Sequence, residues 1–532
     1  MKVTILDGYI DEPACLGVPP FISPQVRAAA GAAIAAGAEI EYTTIDAVRK
    51  NEVALNADIT LFMAGNAVPG KYIRAMPASK KEVLEISSQL PGISILGGPA
   101  SLDDEMTAAF DYSSPQDPAV SLYEIINQLA VSGRWRTLAE WNEWLIKGAI
   151  IVKAHPDFPE PLIAEVESYR GCIRYQSGGC SFCIEPLKGK PLFRQPSDII
   201  AECTKLSELG VHNFRIGGQS CIISYMADLE TGDPPRPNPQ AVEELFHGLH
   251  ALHPQVLHVD NANPAVIASY PEESREIIRS LVKYCTPGNI LALGLESSDP
   301  KVKEMNNLNS SADQTFEAIK MINEEGAAIG DNGLPKLLPG LNFISGLDGE
   351  NKGTNEMNID LLNKILDNNL LLRRINLRQV IPLRKSYKKQ DKHSFIKFKD
   401  KVREEIDQPM LKRMFPEGRI LKDMYTELQD GNFTFGRQIG TYPILICLPY
   451  KTDLEKFLDV VIVDWGYRSI TAVEYPLNIN TCSLKALEAL PGCGRKRAAK
   501  IFTSRPVENL EELSKIIDDS KVMERIKDII EF

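Results

Sequence analysis

Between about residues 161 and 385, short apolar runs alternate with longer amphipathic stretches, and this alternation constrains the fold more than any other feature of the chain. Strands are predicted at Ala164 to Glu167, Asn213 to Ile216, Val256 to Asp260, Ile290 to Leu295, Gly340 to Ile344 and Ile375 to Gln379. Between them lie helical stretches at Ser197 to Leu209, Pro239 to Leu252, Ser274 to Tyr284, Ser311 to Glu325 and Glu356 to Asn368. Six strands with intervening helices imply a parallel sheet in the form of an open barrel, with reactive residues at the strands' carboxyl ends.

A second α/β alternation occupies residues 1 to about 105. Strands are expected at Val3 to Leu6, Glu39 to Thr44, Ala57 to Met63 and Ile93 to Leu96, with helices at Pro24 to Ala36 and Lys80 to Leu90. In such doubly wound sheets ligands sit beyond the carboxyl ends, here Gly8, Gly65-Asn66-Ala67 and Gly97-Gly98. From 106 to 160 a helical connector carries Trp135, Trp141 and Trp144, read as packing residues of an interface. Residues 386–429 read as a linker and helical segment. The lysine-rich stretch Arg384 to Asp400 reads as a mobile loop with a solvated face, with a polyanion contact as the alternative. Short β-rich runs from 430 to 476 suggest a small barrel, and 477–532 is helical. The fold class expected is therefore a multidomain α/β chain.

A length of 532 residues exceeds what one core supports. The net charge of −12 argues against wrapping nucleic acid over most of the surface, while leaving room for a local basic patch. The Ala-rich run Ala28 to Ala38 is interrupted by Gly31 and Gly37 and is too short to span a bilayer, so no membrane association is expected. The N-terminus reads as a strand and a turn rather than a signal peptide, and a cytoplasmic location is expected.

Three of the ten cysteines fall within twelve residues. Cys172 and Cys180 are separated by seven residues and Cys180 and Cys183 by two. Thiolates are soft ligands suited to zinc or an iron-sulfur cluster. Structural zinc wants four ligands, and the nearest other candidates, His155 and Cys203, lie outside this loop. Three thiolates on a four-iron cluster leave one iron open to a substrate.

On this loop the sequence resembles the radical S-adenosylmethionine (SAM) superfamily, whose barrel carries three cysteines after its first strand and an aromatic residue, here Phe182, before the last. The spacing C-x7-C-x2-C is a variant of the usual C-x3-C-x2-C. The resemblance implies a [4Fe-4S] cluster held by Cys172, Cys180 and Cys183, and SAM in a groove along the strand ends. It assigns the methionine amine to Gly217-Gly218, with Gln219 where the family has Glu. It assigns the ribose to Glu296 and Ser297 and the adenine side to Ile344 and Gly346, with Gly340 early and Glu350 late for the family's pattern. Asp260, Asn261, Asn263, Arg378 and Gln379 are expected within reach of the pocket. Reductive cleavage of SAM would then release a 5′-deoxyadenosyl radical that removes hydrogen from an unactivated carbon.

The N-terminal module resembles the Rossmann-like cobalamin-binding domain of methylating members, on Leu16-Gly17-Val18-Pro19-Pro20 and Gly97-Gly98-Pro99, with Leu16, Gly17, Gly65, Asn66, Gly97 and Gly98 as expected contacts. No histidine precedes His155, so a corrinoid would lack a protein imidazole, and Cys15 alone cannot supply the auxiliary cluster of a methylthiotransferase. The tail Leu487 to Ile501, through Pro491-Gly492-Cys493-Gly494-Arg495-Lys496-Arg497, matches a helix-hairpin-helix whose second helix can face a phosphate. From Pro476 to Phe532 ten Lys/Arg face nine Asp/Glu, so the motif lacks a broad basic surface and reads as a protein-docking or purely structural hairpin, with nucleic-acid contact as the alternative. The small barrel resembles the one that ends many tRNA-modifying radical enzymes. From about 160 onward the chain resembles an archaeal radical SAM family with a C-terminal helix-hairpin-helix, on Ser177 to Leu187, Asn263-Pro264, Pro271 to Glu276 and Leu371 to Asn376.

These resemblances imply a cobalamin-dependent radical SAM C-methyltransferase acting on a protein, with a glutamine of methyl-coenzyme M reductase as the expected destination and a ferredoxin or flavodoxin as electron donor. The alternatives are a tRNA-modifying radical SAM enzyme and a nucleic-acid-binding protein whose cluster is structural.

Overall fold

The computed structural model describes residues 1–10, 21–65, 75–388 and 392–532. By its contacts the chain forms two bodies: residues 1–179, 184–262 and 270–286 in the first, and 180–183, 263–269 and 287–532 in the second. Among the described residues no helix is long and apolar enough to cross a membrane.

The first body begins with β1 (Lys2–Asp7), β2 (Phe21–Ile22), α1 (Pro24–Ala35), β3 (Glu39–Thr44), β4 (Ile59–Met63), α2 (Lys80–Ser87), β5 (Ile93–Gly97) and β6 (Tyr112–Ser114). Strands β3-β1-β4-β5-β6 form one parallel sheet in that order, so the order reverses beside β1. Pro24 opens α1 and Ser23 caps it, whereas α2 starts on a reciprocal Ser79–Glu82 capping box.

Two further helices follow, α3 (Pro118–Ile126) and α4 (Leu138–Gly148). The small residues of α1 let it approach α4 backbone to backbone. A Cβ at Gly31 would stand 1.8 Å from the Trp144 carbonyl oxygen, and one at Gly148 would stand 1.8 Å from that of Arg27. Trp141 and Trp144 of α4 are both buried, Trp141 with the Arg136, Arg170 and Arg194 guanidinium groups over its ring.

The rest of the first body is a second parallel sheet built from β7 (Ile163–Glu167), α5 (Pro196–Glu208), β8 (Asn213–Gly217), α6 (Pro239–His250), β9 (Val256–Val259) and α7 (Pro271–Tyr284). Its order is β2-β7-β8-β9. The two-residue strand β2 joins the edge of β7, with Phe21 opposite Ile163 and Ile22 opposite Ala164. A buried charge cluster secures α1 to this sheet: Arg27 pairs with Glu202 and donates to the Glu165 carbonyl, while Arg194 reaches Glu202 at 2.6 Å.

The second body carries β10 (Asn289–Glu296), α8 (Ala312–Gly326), β11 (Leu337–Ser345), α9 (Thr354–Asp367) and β12 (Arg374–Gln379), with the three strands parallel in that order. The six strands expected for the open barrel are thus present as three in each body. Next come α10 (Lys392–Val402), in the segment expected to be a loop, and α11 (Gln408–Met414).

A closed barrel follows from β13 (Ile420–Asp430), β14 (Phe433–Gln438), β15 (Leu445–Leu448), β16 (Phe457–Trp465) and β17 (Ser469–Glu474), in the order β13-β14-β15-β17-β16. The barrel starts upstream of 430 because the alternating run of β13 pairs with β16 as well as β14. The tail holds α12 (Leu484–Ala489), α13 (Gly494–Thr503), α14 (Leu510–Ile517) and α15 (Ser520–Ile526). Gly492 and Gly494, at φ of +76° and +56°, make the turn between α12 and α13.

Candidate active site

In the first body the loop after β7 carries Cys172. Its thiol is partly buried, which pushes its pKa up, and its sulfur accepts the Arg174 N–H at 3.5 Å. Gly217 and Gly218 stand at the carboxyl end of β8. A Cβ at Gly217 would meet Glu165 Oε1 at 2.1 Å, and Gly218, at φ +73°, would place one 2.9 Å from Glu167 Cγ. Only glycine lets this turn lie against β7.

Ser220 Oγ donates to the Gly171 carbonyl at 3.1 Å, so the Gly217–Ser220 turn is hydrogen-bonded to the residue preceding Cys172. Tyr169 braces the same junction. Its hydroxyl donates to the Cys221 carbonyl at 2.7 Å and accepts the Cys221 N–H at 2.8 Å.

Gln219, expected to face SAM, turns inward instead. Its amide donates to the Ile216 and Asp260 carbonyls at 3.0 and 2.8 Å and accepts from Ser168 Oγ at 3.3 Å. The side chain is 1% exposed and ties the end of β8 to that of β9. Asn261 is likewise built into the frame: at φ +61° its side chain donates to the Gln219 carbonyl at 3.1 Å and its carbonyl accepts the Ile222 N–H at 2.9 Å. Asp260 pairs with Arg215, whose guanidinium also lies 3.3 Å from Glu165 and over the Phe21 ring.

In the second body Cys180 and Cys183 share one turn, closed by a bond from the Cys183 N–H to the Cys180 carbonyl at 3.1 Å. Three residues that sequence reasoning missed hold it. Arg384 donates through Nη1 to the Cys180 and Cys183 carbonyls at 2.9 and 3.1 Å. The Tyr387 and Ser181 hydroxyls are 3.0 Å apart.

Asn306, 1% exposed, accepts from Ser181 Oγ at 3.0 Å and from the Asp348 N–H at 3.3 Å, and donates to the Val302 and Asp348 carbonyls, each at 2.8 Å. It therefore joins the cysteine turn to the loop after β11. Nothing in the sequence marks Asn306, which stands beside a second asparagine, and Arg384 is masked by the lysine-rich stretch it opens.

Phe182, Cys180 and Ile344 pack with Val380 and Tyr387 around buried Val302, Leu308 and Leu347, so the cysteine turn and Ile344 share one apolar cluster. Gly346 sits at φ +92°, and its N–H and that of Leu347 donate to Glu350 Oε1 at 2.7 and 3.2 Å. Glu350, late in the linear pattern, closes this loop.

At the end of β10 a register irregularity between Gly294 and Glu296 puts Glu296 at φ +69°. Burial pushes its carboxyl up to about 8, against the opposing pull of Arg378. Glu296 Oε2 is buried without a hydrogen-bond partner. Ser297 accepts the Asp299 N–H at 3.2 Å through Oγ. Asn263, also expected near the pocket, instead caps the helix that follows it, accepting the Ala265 N–H at 3.0 Å. Arg378 lines a cleft at the carboxyl ends of β11 and β12 with Ile344, Glu350, Leu377, Phe395 and Phe398. Gln379 is exposed beside it at the end of β12.

The three cysteines are divided between the bodies, and among the described residues no group of three or more His, Cys, Asp or Glu is arranged to hold a metal. The chemistry of the donor set nevertheless fits a cluster with one open iron: three thiols lie on one loop. The unpartnered Glu296 carboxyl oxygen fits a ligand hydroxyl in the same sense.

The N-terminal sheet offers less to a corrinoid. A Cβ at Gly65 would stand 3.0 Å from the Ile10 carbonyl oxygen, one at Gly97 would stand 2.6 Å from Met63 Sδ, and one at Gly98 would stand 3.0 Å from Ile10 Cγ2. These glycines serve close packing, and the described part of that edge forms no cradle. Leu16, Gly17 and Asn66 lie outside the described residues.

Residues 166–362 match the family model of the radical SAM superfamily. This segment is a radical SAM domain, and that superfamily implies a [4Fe-4S] cluster and SAM. Within it the chain stands with archaeal relatives. It is 44% identical over 503 residues to an uncharacterized protein of Methanocaldococcus jannaschii, covering 88% of this chain and 92% of that one. It is 39% identical over 531 residues to an uncharacterized protein of Archaeoglobus fulgidus, covering 97% of each. A shorter likeness, 37% over 91 residues, covers 16% of this chain and 18% of the tRNA-2-methylthio-N(6)-dimethylallyladenosine synthase of Nocardia farcinica.

Proposed function

We propose that this chain is a radical SAM enzyme that modifies RNA, with tRNA as its substrate class. The observation that carries the reading is the closed barrel from Ile420 to Glu474 followed by the α12–α13 hairpin, both in the body that holds the Cys180–Cys183 turn. Backbone N–H groups at the start of α13, beside Arg495 and Lys496, suit a phosphate. The short likeness to a tRNA-modifying synthase points the same way.

When bound, the cluster and SAM supply an electron and a carbon-centred radical, chemistry for which the chain has no group of its own. Cys172, Cys180 and Cys183 would hold the cluster, Gly217 and Gly218 the amino-acid end of SAM, Glu296 and Ser297 its ribose, and Phe182, Ile344 and Gly346 its adenine. Glu296, with its carboxyl raised to about 8, stays largely protonated at neutral pH and can donate a hydrogen bond as well as accept one. Phe395 and Phe398 line the cleft beside Arg378 and give it an apolar wall.

Methyl transfer through a corrinoid is the second reading of the chemistry. It is favoured by the strand order of the N-terminal sheet, whose reversal beside β1 is where such sheets bind ligands.

One anaerobic experiment separates these readings. Reconstituted protein is incubated with SAM, a reductant and unmodified tRNA transcripts, and nucleosides are analysed by mass spectrometry. Formation of 5′-deoxyadenosine with a new tRNA nucleoside is expected. Radical formation with tRNA unchanged, and a methyl group appearing instead on a glutamine peptide of methyl-coenzyme M reductase, would overturn the RNA reading. A corrinoid absorbance in the purified protein supports the second chemistry, and its absence removes it.

A further inference from the structure

The charge of this chain is unevenly placed. Against a net of −12 for the whole, residues 384–403 hold nine Lys/Arg and two Asp/Glu. The barrel, residues 420–474, holds five Lys/Arg and eight Asp/Glu, and the tail is close to neutral, so neither offers a basic face. Apart from the start of α13, the segment best charged to meet a phosphate backbone is the one that follows β12.

That segment is anchored at its start. Arg384 and Tyr387 hold the Cys180–Cys183 turn, and Lys385 reaches Asp348 at 2.6 Å in the loop after β11. The helix α10 that follows is two-faced. Phe398 and Val402 are buried, Phe398 meets the Phe343 ring edge-on, and Phe395 and Phe398 line the cleft with Arg378. Its outer side carries exposed Lys392, His393, Lys397 and Lys401. Lys401 lies 3.9 Å from Glu405, whereas Lys388, Lys392 and Lys397 make no ion pair among the described residues. Solvated lysines with no carboxylate partner release counterions when a polyanion docks.

We infer that Lys388, Lys392 and Lys397, after β12 and on the outer face of α10, bind the phosphate backbone of RNA. The inference rests on the RNA reading above and names the surface that serves it. One side of α10 is packed inward through Phe398 and Val402 and the other bears Lys392 and Lys397, so the helix is fixed in place while its charge stays in solvent.

The test uses the full reconstituted chain and a tRNA transcript, with binding measured by fluorescence anisotropy over a series of salt concentrations. A triple variant, Lys388→Glu, Lys392→Glu and Lys397→Glu, is compared with the parent and with the matching triple Lys→Arg variant. Thermal midpoint and iron content are checked to confirm that each variant is folded. The charge-reversed variant is expected to bind at least about tenfold more weakly and to lower the salt slope by about 2 to 3, while the arginine variant binds like the parent. If the parent binds but the reversed variant matches it in affinity and slope, the backbone contact lies elsewhere; the inference is then overturned and the RNA reading stands. If the parent fails to bind tRNA even at low salt, the RNA reading falls and takes this inference with it.

Discussion

Asn306→Ala tests the hydrogen-bonded frame behind the cysteine turn. The substitution removes the acceptor of Ser181 Oγ and the two partners of the Asp348 peptide, at 3.0, 3.3 and 2.8 Å, from a site that is 1% exposed. It also removes the bond to the Val302 carbonyl, which lies within the same helical turn. A hydrogen bond contributes about 1 kcal/mol net, and a buried group left unpaired costs roughly 1–3 kcal/mol. Three such contacts to other segments give a local loss of about 3 kcal/mol, or roughly 150-fold in the opening equilibrium.

The assay is backbone hydrogen exchange on the metal-free chain, so neither cluster nor SAM enters the result. Amides of 180–183 and 346–350 should exchange faster by about two orders of magnitude, while those of the closed barrel keep the parent rate. Asn306→Asp keeps the acceptor contacts and loses the donated ones, and should fall between. Unchanged exchange at Asp348 and Ser181 would refute the claim that Asn306 joins the two loops.

Glu296→Gln should remove a pH dependence. A carboxyl raised from 4.5 to about 8 by folding contributes stability that is present below its unfolded pKa and lost as pH rises through about 8, a loss on the order of 3–5 kcal/mol across that window. Thermal melts of parent and variant between about pH 5 and 8 should therefore converge at the acid end and favour the variant at the alkaline end; parallel curves would refute the assignment. Cys180→Ala should abolish SAM cleavage and lower bound iron while leaving the circular dichroism spectrum unchanged, and retained cleavage would contradict the ligand set. Gly31→Val should cost several kcal/mol, since even its Cβ would stand 1.8 Å from the Trp144 carbonyl oxygen, and a thermal midpoint equal to the parent's would show that the α1–α4 seam yields.

Much of this was readable in the residues. The alternation of short and long apolar periods places the strands because β7 to β11 are largely buried and strongly patterned, and the capping pairs at Ser79, Thr137 and Ser311 mark helix starts directly. The cysteine spacing selects thiolate chemistry without any structure. Other parts were hidden for physical reasons. β2 is two residues long and has no period of its own; it exists because the edge of β7 accepts it. Gln219 occupies a family position yet faces inward, because three hydrogen bonds within the first body satisfy its amide. Glu350 was one residue late for a linear motif, but a loop is closed by where a carboxylate can reach, and it reaches Gly346. Arg384 and Tyr387 looked like part of a solvated lysine run, and only the folded turn shows which two of those side chains are committed to it.

The charge cluster around Glu202 bears on how the first body works as a unit. One carboxylate, fully buried, meets Arg27 from α1 and Arg194 from the segment before α5, and the two guanidinium groups hold it below its usual range despite the burial. A buried pair of this kind adds little net stability over an apolar isostere, but removing one partner leaves a charge with no compensation and costs several kcal/mol. Its effect is therefore on specificity: α1 can dock only where Arg27 finds both Glu202 and the Glu165 carbonyl, at the edge of β7. The Gly31 and Gly148 seam constrains the same helix sterically, against α4, because no side chain larger than hydrogen fits there. Two independent constraints thus place α1: the charge cluster ties it to the strand that leads into the Cys172 loop, and the glycine seam fits it to α4.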